Sequence, residues 1–317
     1  MTDILEKHVP ADLSGQRLDR ALAGMFPEYS RSRLKNWLLQ GNVTVDGQTM
    51  RPRDSVAGGE HVIVKPQPEQ RVSSRPEPIE LDIAFEDEAL LVVNKPVGLV
   101  VHPGAGNTRG TLMNGLLHHA PSLETLPRAG IVHRLDKDTS GLMLVGKNLE
   151  AHTALVRLLA ERDISRHYLA VCSGVLTGGG RIDAPIARHP VDRLRMSVQE
   201  RGKPAVTHYR VKERYRAHTY VDVQLETGRT HQIRVHFAHR RNPLVGDPVY
   251  GGRLAIPAGS SEELREALRR FRRQALHAAR LQFRHPVSDE LVDLSAPPPR
   301  DFSELLEVLG SDAEKAE

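Results

Sequence analysis

The stretch His133-Arg134-Leu135-Asp136-Lys137-Asp138-Thr139-Ser140-Gly141, followed by the apolar run Leu142 to Val145, constrains this chain more than any other part of it. Asp138, Thr139, Ser140 and Gly141 are turn formers, through side-chain bonds to nearby backbone and through the freedom of glycine. The run after them has the length and the bounding turn of a buried strand. Asp136 is therefore expected on a tight turn just before that strand, where a rigid scaffold rather than a loop aims its carboxylate. Aspartate is also an ordinary turn residue and Arg134 an ordinary ion-pair partner, so the turn by itself assigns no chemistry.

The chain has 317 residues, 39% of them apolar, enough for one large core and a small accessory domain. Its single cysteine, Cys172, rules out a disulfide framework within the chain and any multi-cysteine zinc site. Leu169, Ala170, Val171 and Val175 around it suggest a buried strand cysteine. The first residues include acids and no apolar segment of signal-peptide length, and nowhere is there an apolar run of about 18 residues. The expectation is a soluble, cytoplasmic protein with no membrane partner.

A net charge of +4 is compatible with nucleic acid without requiring it. Arg31, Arg33 and Lys35 lie near the start of a predicted helix, Arg51 and Arg53 follow, and Arg265, Arg269, Arg270, Arg272 and Arg273 crowd a later helix. Residues 301–317 carry Asp301, Glu304, Glu307, Asp312, Glu314 and Glu317 against Lys315 alone and read as an acidic tail.

Residues 14–66 read as helix, helix, then short strands. Arg17 to Phe26 has helical apolar spacing, Ser30 or Ser32 can cap the helix containing Trp37, and Gly41 ends it. Val43 to Val45 and His61 to Val64 alternate like strands, with Asp46-Gly47 as a hairpin signal. Residues 67–78 form a Pro-rich linker. Residues 79–300 are strand-rich, with strands at 81–85, 89–93, 142–145, 168–172, 220–225 and 230–237 and helices at 111–119, 150–164 and 262–276. In the strand at 230–237, Ile233, Val235 and Phe237 share the apolar face, and Gln232, Arg234 and His236 the other. His231 and His236 then lie on opposite faces and cannot share an ion. No metal or nucleotide-loop motif appears, and neither metal nor cofactor is expected.

The HRLDxxTSG pattern resembles the signature of the RluA-type pseudouridine synthases. Asn94-Lys95-Pro96 with His102-Pro103, Arg166-His167-Tyr168, Gly202-Lys203-Pro204-Ala205, Gly228-Arg229-Thr230-His231-Gln232-Ile233-Arg234 and Leu276-His277-Ala278 also match blocks of that family, in family order. The likeness runs from about Ser14 to about Phe302, and residues 14–66 resemble an S4 RNA-binding domain.

The resemblance implies an α+β chain: an S4-like domain (helix-helix-strands), then a catalytic domain with a mixed, mainly antiparallel central sheet. It implies that Asp136 is the catalytic carboxylate, acting as nucleophile or as base, that Arg234 pairs with it through a bidentate guanidinium, and that Tyr168 lies against the target base. Arg134 would enter the space left by a flipped uridine, and Leu276 would pack beneath the base. Arg31, Arg33 and Lys35 would contact phosphates. His189, Arg193 and Arg195 would belong to a loop that grips RNA. The expected partner is 23S ribosomal RNA or a large ribosomal subunit precursor, met by a monomer. An S4-bearing assembly factor without catalysis is the alternative, against which Asp136, Tyr168 and Arg234 together argue. An S4-bearing aminoacyl-tRNA synthetase would need HIGH and KMSKS motifs, which are absent.

Overall fold

The structure is a computed structural model describing residues 4–29, 31–66, 75–104 and 106–315. The chain divides into two compact units, Met1–Ser73 and Ser74–Glu317.

In the first unit, strand β1 (Leu5–His8) precedes helices α1 (Leu18–Met25) and α2 (Arg31–Leu39), followed by β2 (Val43–Val45) and β3 (His61–Val64). The strands form an antiparallel sheet ordered β1-β3-β2. Leu18, Leu22 and Phe26 of the first helical segment pack with Leu34, Trp37 and Leu38 of the second over Val43, Val62 and Val64. Asp46 (φ 48°) and Gly47 (φ 77°) make the tight turn expected of that dipeptide, and Gly41 (φ 76°) closes α2. Strand β1 lies before residue 14, where no strand was expected. Ser30 lies outside the described residues, as does most of the Pro-rich linker.

The second unit is built on a nine-stranded sheet. Its first strands are β4 (Ile83–Glu86), β5 (Leu90–Lys95), β6 (Ser140–Gly146), β7 (Ser165–Ser173) and β8 (Gly180–Asp183). A separate hairpin follows, β9 (Ile186–Arg188) with β10 (Met196–Val198), before β11 (Val206–Arg214), β12 (His218–Leu225), β13 (Leu276–Arg284) and β14 (Leu291–Ser295). The order is β4-β5-β6-β13-β7-β12-β11-β8, with β14 on β13. Only the β6–β13 pairing is parallel among these, so the sheet is mixed and mainly antiparallel, as expected.

Helices cover both faces of this sheet, which explains the continuous apolar runs of β5 and β6. Leu91, Val93, Met143 and Val145 point to one side, against α3 (Leu112–His119) and α5 (Gln232–His239). Leu90, Val92, Leu142 and Leu144 point to the other, against Leu155 of α4 (Leu149–Glu161).

One row of paired residues crosses five adjacent strands: Lys95, Gly141, Ala278, Tyr168 and Val223. Only glycine fits at 141, where φ is +113° and an added Cβ would lie 2.2 Å from the Ala278 carbonyl oxygen. The turn carrying Asp136 enters the sheet beside this row.

Three expectations are corrected here. Residues 230–237 are not a strand: His231 takes a left-handed conformation (φ 57°) and α5 follows. Gln232 through Phe237 are all buried, so no polar face marks the helix. The period-two pattern arises because each interior polar group has its own partner: Gln232 bonds Thr207 and Thr227, His236 bonds Thr207 and the Ala184 carbonyl, and Arg234 bonds carboxylates. The acidic segment 301–317 is not a tail: α7 (Arg300–Glu314) buries Phe302, Leu305 and Leu309 against Leu264 and Leu268 of α6 (Glu262–Arg270). The expected helix 262–276 ends at Arg270, and Leu276 opens β13. Phe302→Ala should therefore cost about 3–5 kcal/mol, as for a buried aromatic in any core, visible as a lowered urea midpoint at unchanged slope; a change of a few tenths would return α7 to the surface.

Candidate active site

Asp136 begins a turn in which its carbonyl accepts the Thr139 amide, 3.1 Å. The turn is held from below by Lys95, which is completely buried. Its ammonium donates to the carbonyls of Lys137 (2.9 Å), Leu99 (3.0 Å) and Pro96 (2.7 Å). Burial pulls this lysine down to about 8, a shift opposed by Asp138 and Asp136. From the other side, Gln274 donates to the Thr139 hydroxyl, 2.9 Å, and Arg273, forked onto Asp301 of α7, reaches the Gln274 carbonyl.

Arg234 brings α5 to Asp136. Its Nη1 donates to Asp136 Oδ2 at 2.9 Å, while Nε and Nη2 donate to Asp247 at 2.7 and 2.9 Å. The expected pairing is present, but the bidentate fork grips Asp247, and Asp136 receives one bond. Burial disfavours the charges of Arg234 and Asp247, but the bonds between them outweigh it, raising the arginine and lowering the carboxyl. Asp247 Oδ1 also accepts the amides of Val249 and Tyr250, both at 2.9 Å.

His231 is the left-handed residue that leads into α5, and both it and Arg234 reach Asp136. His231 Nε2 stands 3.8 Å from Asp136 Oδ1, on the side that Arg234 leaves open. The strand reading had sent these two residues to opposite faces, and its argument about His231 and His236 loses its premise. His231 Nδ1 lies 2.8 Å from the Tyr250 hydroxyl, whose ring stacks with the Arg234 guanidinium at 5.0 Å. Asp247, Tyr250 and His231 were not singled out from the sequence, although His231 lies in a quoted block and Gly246-Asp247-Pro248 is a turn signal.

Tyr168 is buried on β7, its hydroxyl pushed up chiefly by burial, with Arg166 opposing and Asp136 reinforcing the shift. Leu276 lies two residues before Ala278 of the same row and belongs to the core on that side of the sheet. Arg134 is exposed, two residues before Asp136. Arg193 is exposed in the β9–β10 loop, where His189 Nδ1 accepts the Asp192 amide (3.0 Å) and Arg195 stacks on Tyr250 (5.3 Å). In the first unit Arg31 bonds Asp19 (2.9 Å), Arg33 stacks over Trp37 (4.9 Å) and Tyr29, and Lys35 is exposed. Among the described residues, no group of three or more His, Cys, Asp or Glu could hold a metal ion, and no helix is long and apolar enough to cross a membrane. Cys172 is buried on β7, its thiol pushed up to about 12 chiefly by burial.

A single carboxylate, oriented by a buried guanidinium at the edge of a mixed sheet, is a site for nucleophilic or proton-transfer chemistry without a metal ligand set. The family model for RNA pseudouridylate synthase matches residues 89–239, and that for the S4 domain residues 16–62. The chain is 54% identical to the ribosomal large subunit pseudouridine synthase D of Pseudomonas aeruginosa, over 99% of both chains. It has the same identity to the Escherichia coli K12 protein of that name, over 95% of this chain and 93% of the relative. Human RNA pseudouridylate synthase domain containing 4 is a similar solved structure: TM-score 0.57, 28% identity, 72% of this chain and 92% of that one. The chain belongs to the RNA pseudouridylate synthase family and carries an S4 domain at its N-terminal end.

A pH test follows from Lys95. Above about pH 8 its Nζ loses a proton and keeps two donors for three carbonyls, so the turn under Asp136 loosens and the single-turnover rate should fall. Stability should move oppositely: the unfolded lysine, at 10.5, binds more protons than the folded one, so stability gains from pH 8 to about 10.5. Lys95→Met should remove both trends, as read by rate and urea midpoint against pH; a parallel fall of rate and stability in the native chain would contradict this role.

Proposed function

We propose that this protein isomerises specific uridines of 23S ribosomal RNA to pseudouridine, with Asp136 as the catalytic carboxylate. The observation that carries the reading is the one-sided hold on Asp136: Oδ2 is taken by Arg234, and Oδ1 is left for the substrate. The near full-length likeness to enzymes named for the large ribosomal subunit supports the choice of RNA.

Pseudouridine formation breaks the bond between ribose C1′ and uracil N1, turns the base, and joins C1′ to C5, which gives up its proton. It is redox-neutral and needs no cosubstrate. As nucleophile, Oδ1 would bond to C1′ while the electron pair of the broken bond stays on the uracil; C5 would then displace the carboxylate. As base, Oδ1 would take the C2′ proton as the C1′–N1 bond breaks with its pair on the uracil, giving a glycal; C5 would then bond to C1′ as the proton returns to C2′. Both routes use the same free oxygen, and Tyr168 lies against the departing base.

A uridine in folded RNA has to leave its stack, at a cost of a few kcal/mol that protein contacts offset. Arg134 takes the vacated space, since a guanidinium can stack and bind phosphate together. Leu276 packs beneath the base, and His189, Arg193 and Arg195 hold RNA from the β9–β10 loop. In the S4 domain, Lys35 and the exposed edge of Arg31 contact phosphates. Arg33, stacked on Trp37, presents its guanidinium from a fixed platform. The protein acts as a cytoplasmic monomer, without a membrane partner.

Asp136→Asn should abolish tritium release from 23S RNA transcribed with 5-tritiated uridine while leaving RNA affinity nearly unchanged, because the amide keeps the shape and loses the chemistry. Turnover by that variant would dismiss Asp136; mapping pseudouridine in rRNA from cells lacking the protein identifies the sites. Removing residues 1–73 should raise the RNA concentration for half-maximal rate and flatten the salt dependence of binding, since fewer counterions are released. An unchanged salt slope would make the basic helix a solvated face.

A further inference from the structure

The Tyr250 hydroxyl joins two parts of the second unit. It accepts the backbone amide of Met196, the first residue of β10, at 2.8 Å, and it lies 2.8 Å from His231 Nδ1. Met196 ends the loop that begins at His189, closed at its base by the His189 amide on the Arg195 carbonyl, 3.0 Å. That loop carries Val191 and Leu194, 86% and 87% exposed. On the other side His231 faces Asp136.

These contacts fix a proton. A phenol has one proton to give, and the Met196 amide occupies its acceptor side. The proton is therefore committed to His231 Nδ1, which must be the unprotonated nitrogen of a neutral ring. Burial keeps His231 below its ordinary range, with Arg234 and Arg134 acting in the same direction and Asp136 and Asp247 against it. The remaining proton then falls to Nε2, 3.8 Å from Asp136 Oδ1.

We propose that Tyr250 and His231 are positioning residues that couple the seating of the β9–β10 hairpin to the free oxygen of Asp136, an inference that rests on the catalytic reading of Asp136. With the hairpin seated, the carboxylate has an N–H beside Oδ1 rather than a lone pair, too far to bond it and near enough to favour its charge. With the hairpin withdrawn, the phenol loses the Met196 amide and can accept as readily as donate. The Nδ1–H tautomer then gains population, and it turns a lone pair toward Asp136. RNA that presses the loop home sets the tautomer the reaction needs.

The test uses the full chain, tritium release under single-turnover conditions, and nitrogen NMR of the His231 ring. Tyr250→Phe keeps the ring under Arg234 and removes only the hydroxyl. It should slow the chemical step about tenfold, the size of one oriented hydrogen bond, a loss that saturating RNA does not restore. His231→Gln, which retains an N–H donor, should keep more rate than His231→Ala. Adding Tyr250→Phe to His231→Ala should cost nothing further, because one chain of contacts is already cut. The NMR spectrum should show Nε2–H in the native protein and a mixture in Tyr250→Phe. A native rate for Tyr250→Phe, multiplicative losses in the double variant, or Nδ1–H in the native protein each overturns the proposal. Turnover by Asp136→Asn overturns the catalytic reading instead, whatever the tautomer.

Discussion

A guanidinium shared unequally between two carboxylates organises this site. Arg234 spends its fork on Asp247 and its remaining donor on Asp136, and both Arg234 and Asp247 are out of water. Taking such charges out of water costs several kcal/mol each, recovered only when geometry is good and further bonds satisfy the remaining atoms. Asp247 meets that condition through two backbone amides besides the arginine. The result is a cation whose place is fixed without help from Asp136, so the half-buried carboxylate of Asp136 is oriented by a partner anchored elsewhere. Had the fork gripped Asp136, both of its oxygens would be occupied and neither would be free.

The sheet supplies the matching rigidity on the other side. Lys95 and Gly141 occupy adjacent places in one row, the first bonding the turn's carbonyl and the second letting β6 approach β13 closely enough to bring Tyr168 near. A buried lysine with three carbonyl partners is a structural cross-link made of hydrogen bonds. Its position explains why a buried lysine ends this strand.

What could be read from the sequence was local. Turn formers before an apolar run located Asp136, and the S4-like order of helices and strands followed from spacing and one Asp-Gly turn. Arg234 was found by its motif, but its geometry was argued from a strand that is a helix, because a helix buried from Gln232 through Phe237, with a partner for each polar group there, imitates alternation. Asp247, Tyr250 and His231 escaped because their meaning lies in contacts made across the chain, such as Tyr250 with Met196, which periodicity does not record. The C-terminal helix was hidden by its charge: Phe302, Leu305 and Leu309 have helical spacing, and the acids between them drew the eye to solvent.

That helix also orders events in time. Arg273 reaches toward the turn of Asp136 only because Asp301, at the start of α7, holds its guanidinium. A chain made from its N-terminal end completes the S4 domain first, and domains fold as units in that order. The turn of Asp136 emerges well before the residue that braces its brace. During synthesis, then, the N-terminal unit is finished while the turn of Asp136 still lacks part of its frame, which the last helix completes.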